Sequence, residues 1–297
     1  MREQELITLA DSLFSGNIAG KGISKGIGDD CAVLSYNGKW DLIATCDTLS
    51  ENTHFLKGTP PELLAHKLLA VNLSDVAAMA GIPLWGILSL AAPKKLSPAF
   101  LTRFMTALGK EAEKYKVSIV GGDTVRADAL TLTLTLLGKV EKGRALLRSN
   151  AKEGDLVLVT GLLGNTFSNG KHLDFEPRLK EARWLRDKFS PTAMMDLSDG
   201  LFEDGSRMGR ASGATLAIRG TEVPCADHCA LKEALTGGED FELLLTVPKS
   251  KFDEKLKRRF EKKFSLKLTV VGEVLKAGKH PLTIDGKAKK WSGYAHF

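Results

Sequence analysis

PELLAHKLLAVNLSDVAAMAG, residues 61–81, decides how this chain folds. Leu63, Leu64, Leu68, Leu69, Val71, Leu73, Val76, Ala77 and Met79 leave almost no polar face, so the segment reads as a helix buried on all sides. Asp75 stands in that apolar middle, after Asn72 and Ser74. A buried carboxylate takes up a proton, pairs with an Arg, or faces a bound cation and stays ionised. Alone, Asp75 would be read as a salt bridge or a helix-end acid, but it is not alone.

The chain has 297 residues, 43% apolar and 26% charged, the balance of a globular protein with room for two domains. Lys and Arg number 42 against 36 Asp and Glu, and the resulting +6 only mildly favours anionic ligands. No run approaches the roughly 18 consecutive apolar residues of a membrane span. The start, through Leu6, Ile7, Leu9, Ala10, Leu13 and Phe14, is an amphipathic helix without the apolar core of a signal peptide, so a cytoplasmic location is expected. Cys31, Cys46, Cys225 and Cys229 are too few for a disulfide framework, and Cys225 and Cys229 with His228 lack the second pair that zinc requires.

Working outward, Ser15–Gly28 is a Gly-rich loop; its GNIAGKG run fails as a phosphate loop, because the glycines are too close and Gly22 replaces Ser or Thr. Asp29 and Asp30 lead into a short strand, and the strand Trp40–Cys46 delivers Asp47. A polar loop over Leu49–Lys57 carries His54, and Pro83–Ala92 reads as a buried strand. Ser97-Pro98 caps and opens a helix with an apolar stripe from Leu101 to Tyr115. Val117–Val120 is a strand running into a Gly121-Gly122-Asp123-Thr124 turn, and Leu130–Gly138 alternates Thr and Leu with period two.

The basic stretch Glu141–Arg148 suggests a boundary between domains at 1–140 and 141–297. Beyond it come a strand at Leu156–Thr160, a charged helix near Arg178–Lys188, and Asp196-Leu-Ser198-Asp199-Gly200 leading into a helix that stops at Gly213. Thr215–Arg219 and Phe241–Val247 are strands, the second preceded by Gly237-Gly238-Glu239-Asp240, an echo of the first glycine pair. Lys249–Lys263 reads as a surface helix with one buried stripe, since Asp253, Glu254 and Glu261 interrupt what would otherwise be a nucleic-acid patch.

Asp29, Asp30, Asp47, Asp75, Asp123, Asp196 and Asp199 fall at strand ends, glycine turns or inside the apolar helix. Gathered in one cleft they would repel one another unless divalent cations intervened. Oxygen ligands without a matching Cys or His set suit magnesium, which is commonly shared with the phosphates of a nucleoside triphosphate.

In order, GDDCA (28–32), TCDT (45–48), His54-Phe55, AVNLSDVAAM (70–79), GGDT (121–124), Arg148-Ser149, DLSDG (196–200) and GGEDFEL (237–243) resemble the thiamine-monophosphate kinases, a family related to aminoimidazole ribonucleotide and selenophosphate synthetases. The resemblance implies an α/β (α+β) synthetase-like fold, with an N-terminal mixed sheet that pairs in a homodimer and a C-terminal α/β sandwich. It implies ATP-dependent phosphorylation of thiamine monophosphate to thiamine diphosphate. Several magnesium ions would be held by Asp29, Asp47, Asp75, Asp123, Asp196 and Asp199 with Thr45 and Cys46. Gly122, Asp123, Arg148 and Ser198 would meet ATP; His54, Glu239 and Tyr294, or Phe297 in its place, would line the thiamine pocket. Two departures stand out: residues 164–191 are shorter than is usual, and Ala127-Asp128-Ala129 replaces a Gly-Pro turn. A selenophosphate synthetase would carry a Cys or selenocysteine in its Gly-rich loop, and Ser15–Gly28 has no Cys. Nucleic-acid binding would instead be steeply salt-dependent and indifferent to magnesium.

Overall fold

A computed structural model describes residues 3–14, 21–291 and 293. The first half runs α1 (Glu3–Phe14), β1 (Ile23–Lys25), β2 (Ala32–Ser35), β3 (Trp40–Ser50), α2 (Pro61–Ala78), β4 (Ile82–Ala92), α3 (Pro98–Tyr115), β5 (Ser118–Arg126) and β6 (Thr131–Glu141). The second runs β7 (Asp155–Thr160), α4 (Leu179–Phe189), β8 (Ala193–Asp196), α5 (Leu201–Ser212), β9 (Ala214–Ile218), α6 (Leu231–Thr236), β10 (Leu243–Pro248), α7 (Glu254–Phe264), β11 (Leu268–Lys276) and β12 (Leu282–Ile284).

The expected central helix is α2, and 15 of its 18 residues are buried, which requires protein on every side. It lies against β3 and β6 of the first sheet and against α4 and β8 of the second half. One hydrophobic core therefore runs from Ile43, Leu132 and Leu134 through Leu68 and Leu69 to Leu185, Phe189 and Leu245. Arg186 of α4 adds a polar tie across the halves, donating to Glu141 at 2.5 Å and to the Ala80 carbonyl at 3.4 Å.

The first sheet has the order β1-β2-β3-β6-β4-β5, mixed because only β4 and β5 are parallel, with α3 as their crossover. In β6, Leu132, Leu134 and Leu136 face the core while the intervening threonines do not, as the alternation predicts. Ser97 caps α3 by accepting the Phe100 N–H, and Lys116 ends it in a left-handed conformation. The second sheet, β12-β9-β11-β7-β10-β8, carries α5 and α6 on one face and α4 and α7 on the other. Val157 and Val159 of β7 point to one layer and Leu158 to the other, giving the α/β sandwich. Phe260 of α7 is buried against Trp184, so this basic helix is a surface helix with an apolar stripe, as read from the sequence.

Gly121-Gly122-Asp123 departs from expectation: it lies inside β5 and forms no turn. Ile119 pairs with Gly86 and Gly121 with Ile87, so Val120 is an extra bulged residue. A Cβ on Gly122 would collide with the Leu88 carbonyl, so that glycine is what lets β5 close on β4. In α1, Leu6, Leu9, Leu13 and Phe14 are all exposed. Among the described residues no helix is long and apolar enough to cross a membrane.

Leu68, fully buried in α2, tests the shared core. Leu68→Ala is expected to cost about 3 kcal/mol. Denaturant unfolding should remain one transition, coincident by circular dichroism and Trp fluorescence, with no half surviving the other.

Candidate active site

Two polar residues of α2 each serve one acid, and a residue of β3 serves the acid of α2 itself. Asn72, fully buried, donates to the Leu68 carbonyl and accepts the Asp47 backbone N–H at 3.3 Å. The Ser74 hydroxyl donates to Asp196 Oδ2 at 2.6 Å. Thr45 of β3 donates its hydroxyl to Asp75 Oδ2. The helix thus fixes an acid from β3 and one from β8 beside its own.

Carboxylate oxygens of Asp30, Asp75 and Asp196 all lie within 4.8 Å of one another, the one such group of potential metal ligands among the described residues. Asp30 Oδ1 pairs with Arg148 Nη2 at 2.5 Å, while its buried Oδ2 has no hydrogen-bond partner. Burial first, then the neighbouring acids, push Asp196 up to about 7, Asp47 up to about 6 and Asp75 well above the usual carboxylate range. An orphaned oxygen, oxygen-only donors and mutual repulsion fit a divalent cation of the magnesium type. Asp29, adjacent in sequence, accepts the Arg148 backbone N–H at 3.2 Å and sits 3.6 Å from Lys25. Burial and Asp30 raise it to about 6, with Arg148 and Lys25 opposing.

Two cavities meet at these acids. One of about 510 Å³ is lined by Asp29, Asp30, Thr45, Cys46 and Arg148 together with apolar Ile23, Ile27 and Leu34. The other, of about 210 Å³, is lined by Thr53, His54, Val71, Phe167, Asp199, Glu239 and Phe241. Asp47, Asp75, Asp196 and Ser198 line both. Arg148, which lines the larger cavity, keeps a buried Nε without a hydrogen-bond partner.

Glu239 is set by strained backbone. Gly238, Glu239 and Phe241 all have positive φ, and their turn is tied to the 196–199 turn by Glu239 N–H to Ser198 O at 2.7 Å and Phe241 N–H to Leu197 O at 2.8 Å. Behind it, buried Glu242 receives Arg178 through two bonds, Lys171 and the Thr160 hydroxyl. Lys67 of α2, fully buried, donates to Glu239 Oε2 at 2.7 Å and to the His54 carbonyl at 2.8 Å, and its ammonium lies 3.2 Å from His172 Nδ1. Burial alone would raise Glu239; His172 and Lys67 outweigh it and hold the carboxyl below its usual range.

Of the residues singled out from the sequence, Asp29, Thr45, Cys46, Asp47, Asp75, Arg148, Asp196, Ser198, Asp199, His54 and Glu239 line one or both cavities. Asp199 is also tied to Arg207, which bridges it to Asp204. Gly122 and Asp123 line neither, lying exposed on the edge strand. Tyr294 and Phe297 fall outside the described residues. Lys67 and His172 escaped sequence reading because only the fold brings them to Glu239; the polar N-x-S-D run was the signal for Asn72 and Ser74.

The sheet pairing, buried helix and acid-lined cavities define a two-sheet α/β protein built around an acidic cleft. A family model described as "AIR synthase related protein, N-terminal domain" matches residues 28–140. A thiamine-monophosphate kinase of Buchnera aphidicola (Schizaphis graminum strain) is 37% identical, covering 92% of each chain. That of Escherichia coli K12 is 35% identical over 93% of this chain and 92% of its own. The solved structure "AaThiL complexed with AMPPCP and TMP" superposes with a TM-score of 0.87 at 28% identity, covering 100% of this chain and 97% of that one. The chain belongs to the thiamine-monophosphate kinase family.

Asp29, Asp47 and Asp196 have folded values of about 6, 6 and 7, above the ordinary ~3.9. Their contribution to stability is complete below about pH 4 and is lost as pH rises through those folded values. Without metal the chain should melt several degrees lower at about pH 8 than at about pH 5. Magnesium should restore most of that loss, as read by scanning calorimetry.

Proposed function

We propose that this chain transfers the γ-phosphoryl group of ATP to thiamine monophosphate, giving thiamine diphosphate and ADP. The observation that carries this reading is the junction of the cavities at Asp47, Asp75, Asp196 and Ser198. ATP on the larger side, against Arg148 and the apolar lining, and the acceptor on the smaller side, near His54 and Glu239, bring two phosphates together at the acids. The new bond joins an acceptor phosphate oxygen to the γ-phosphorus, and the bond to the ADP oxygen breaks. A phosphate monoester, with second pKa ~6, is already anionic at neutral pH, so the chain needs no general base and forms no phosphoenzyme. Positioning by fixed dipoles and charges does the work.

Asp47, Asp75, Asp196, Asp199 and Asp30 are assigned to several magnesium ions, with Thr45 and Cys46 beside them and Asp29 behind Arg148. Magnesium, when bound, would neutralise the converging phosphate oxygens. Gly122 and Asp123 are assigned to the nucleotide from a second copy: β5 is three strand positions from β3, roughly 14 Å at ~4.8 Å per strand. The exposed sheet face bearing Trp85, Ile87, Val120 and Val125 supports a homodimer. Residues 1–140 and 141–297 are assigned as two domains, and the protein as cytoplasmic.

Incubation of the full chain with ATP, magnesium and thiamine monophosphate should yield the diphosphate, with free thiamine as the negative control. Asp75→Asn should lower kcat by at least about a hundredfold while leaving Tm unchanged or raised, because it removes a charge-bearing group from a crowded acidic cluster. Turnover without magnesium, full activity of that variant, or phosphorylated protein trapped after mixing with ATP alone would each count against this mechanism.

A further inference from the structure

The connection between β7 and α4 holds an aromatic side chain over the smaller cavity. Phe167 is 49% exposed, yet it lines that cavity alongside His54, Glu239 and Phe241. One exposed Phe is ordinary on a protein surface; this one sits on a pinned segment. The Gly164 N–H donates to Asp240 Oδ1 at 2.7 Å, the Asn165 amide to the Asp227 carbonyl at 2.8 Å, and the Thr166 hydroxyl to the Gly238 carbonyl at 2.9 Å. His172 returns its N–H to Thr166 O at 3.1 Å and lays its ring on Phe167, with centroids 4.5 Å apart and planes 33° from parallel. Buried Lys67 in turn fixes His172.

At this end of the cavity a preset aromatic surface therefore stands beside an ionised carboxylate. Of the two Glu239 oxygens, Oε2 is taken by Lys67 and His172. An aromatic face with a carboxylate beside it suits a cationic heteroaromatic ring. We propose that Phe167 is a specificity-determining residue for the acceptor, stacking on the positively charged thiazolium ring of thiamine monophosphate. This rests on the function proposed above.

The test is initial-rate kinetics on the full chain with Phe167→Ala, Phe167→Leu and Phe167→Trp, varying each substrate with the other saturating. Phe167→Ala should raise KM for thiamine monophosphate about tenfold, in line with a cation lost from an aromatic face, and leave KM for ATP within about twofold. Phe167→Leu, which keeps bulk without the ring, should resemble Phe167→Ala, and Phe167→Trp should retain near-native KM. An unchanged acceptor KM in Phe167→Ala, an equal rise for ATP, or rescue by Leu would overturn the assignment. No diphosphate from the unaltered chain would instead sink the functional reading beneath it.

Discussion

Carboxylates crowded where water is scarce are the constraint on which this structure turns. Asp30, Asp75 and Asp196 bring oxygens within 4.8 Å, and only Asp30 among them has a basic partner. Asp75 and Asp196 are held by hydroxyls, which orient a carboxylate without neutralising it. Such an arrangement is poor for the empty protein and useful once cations and phosphates arrive. The chain accepts that disadvantage by burying α2 on all sides, so that the apolar contacts of one helix hold in place the groups that repel.

The same helix links the two chemistries of the site. Asn72, Ser74 and Asp75 near its C-terminal end serve the acids, while Lys67, about two turns earlier, serves Glu239 and His172. The separation between phosphate chemistry and ring recognition is thus set along one rigid element, with about 1.5 Å of rise per residue. The second half, packed on that element through α4 and β8, brings to the site two turns zipped to each other, 196–199 and 238–241.

Much of this was legible in the sequence because it follows from local pattern. The unbroken apolar run around Asp75 announces a helix without a free face, and the Thr/Leu alternation announces β6. How Asp29 and Asp30 divide Arg148 between them, one taking its backbone N–H and the other its guanidinium, was not legible. Neighbouring residues in a turn face different ways, and only the arrival of Arg148 separates them. Gly121-Gly122 looked like a turn because glycine permits one; its extended form depends on the Leu88 carbonyl in another strand. Lys67 lies 172 positions from Glu239, and no spacing rule spans such a distance.

The continuous core has a consequence for how the molecule works through a cycle. Because α2 belongs to both halves at once, the halves cannot swing apart as jaws without tearing that core open. Reactants must enter and products leave through the mouths of a fixed frame, and whatever shielding the reaction needs has to come from small surface segments. The molecule is built as an anvil, with any moving parts kept to its rim.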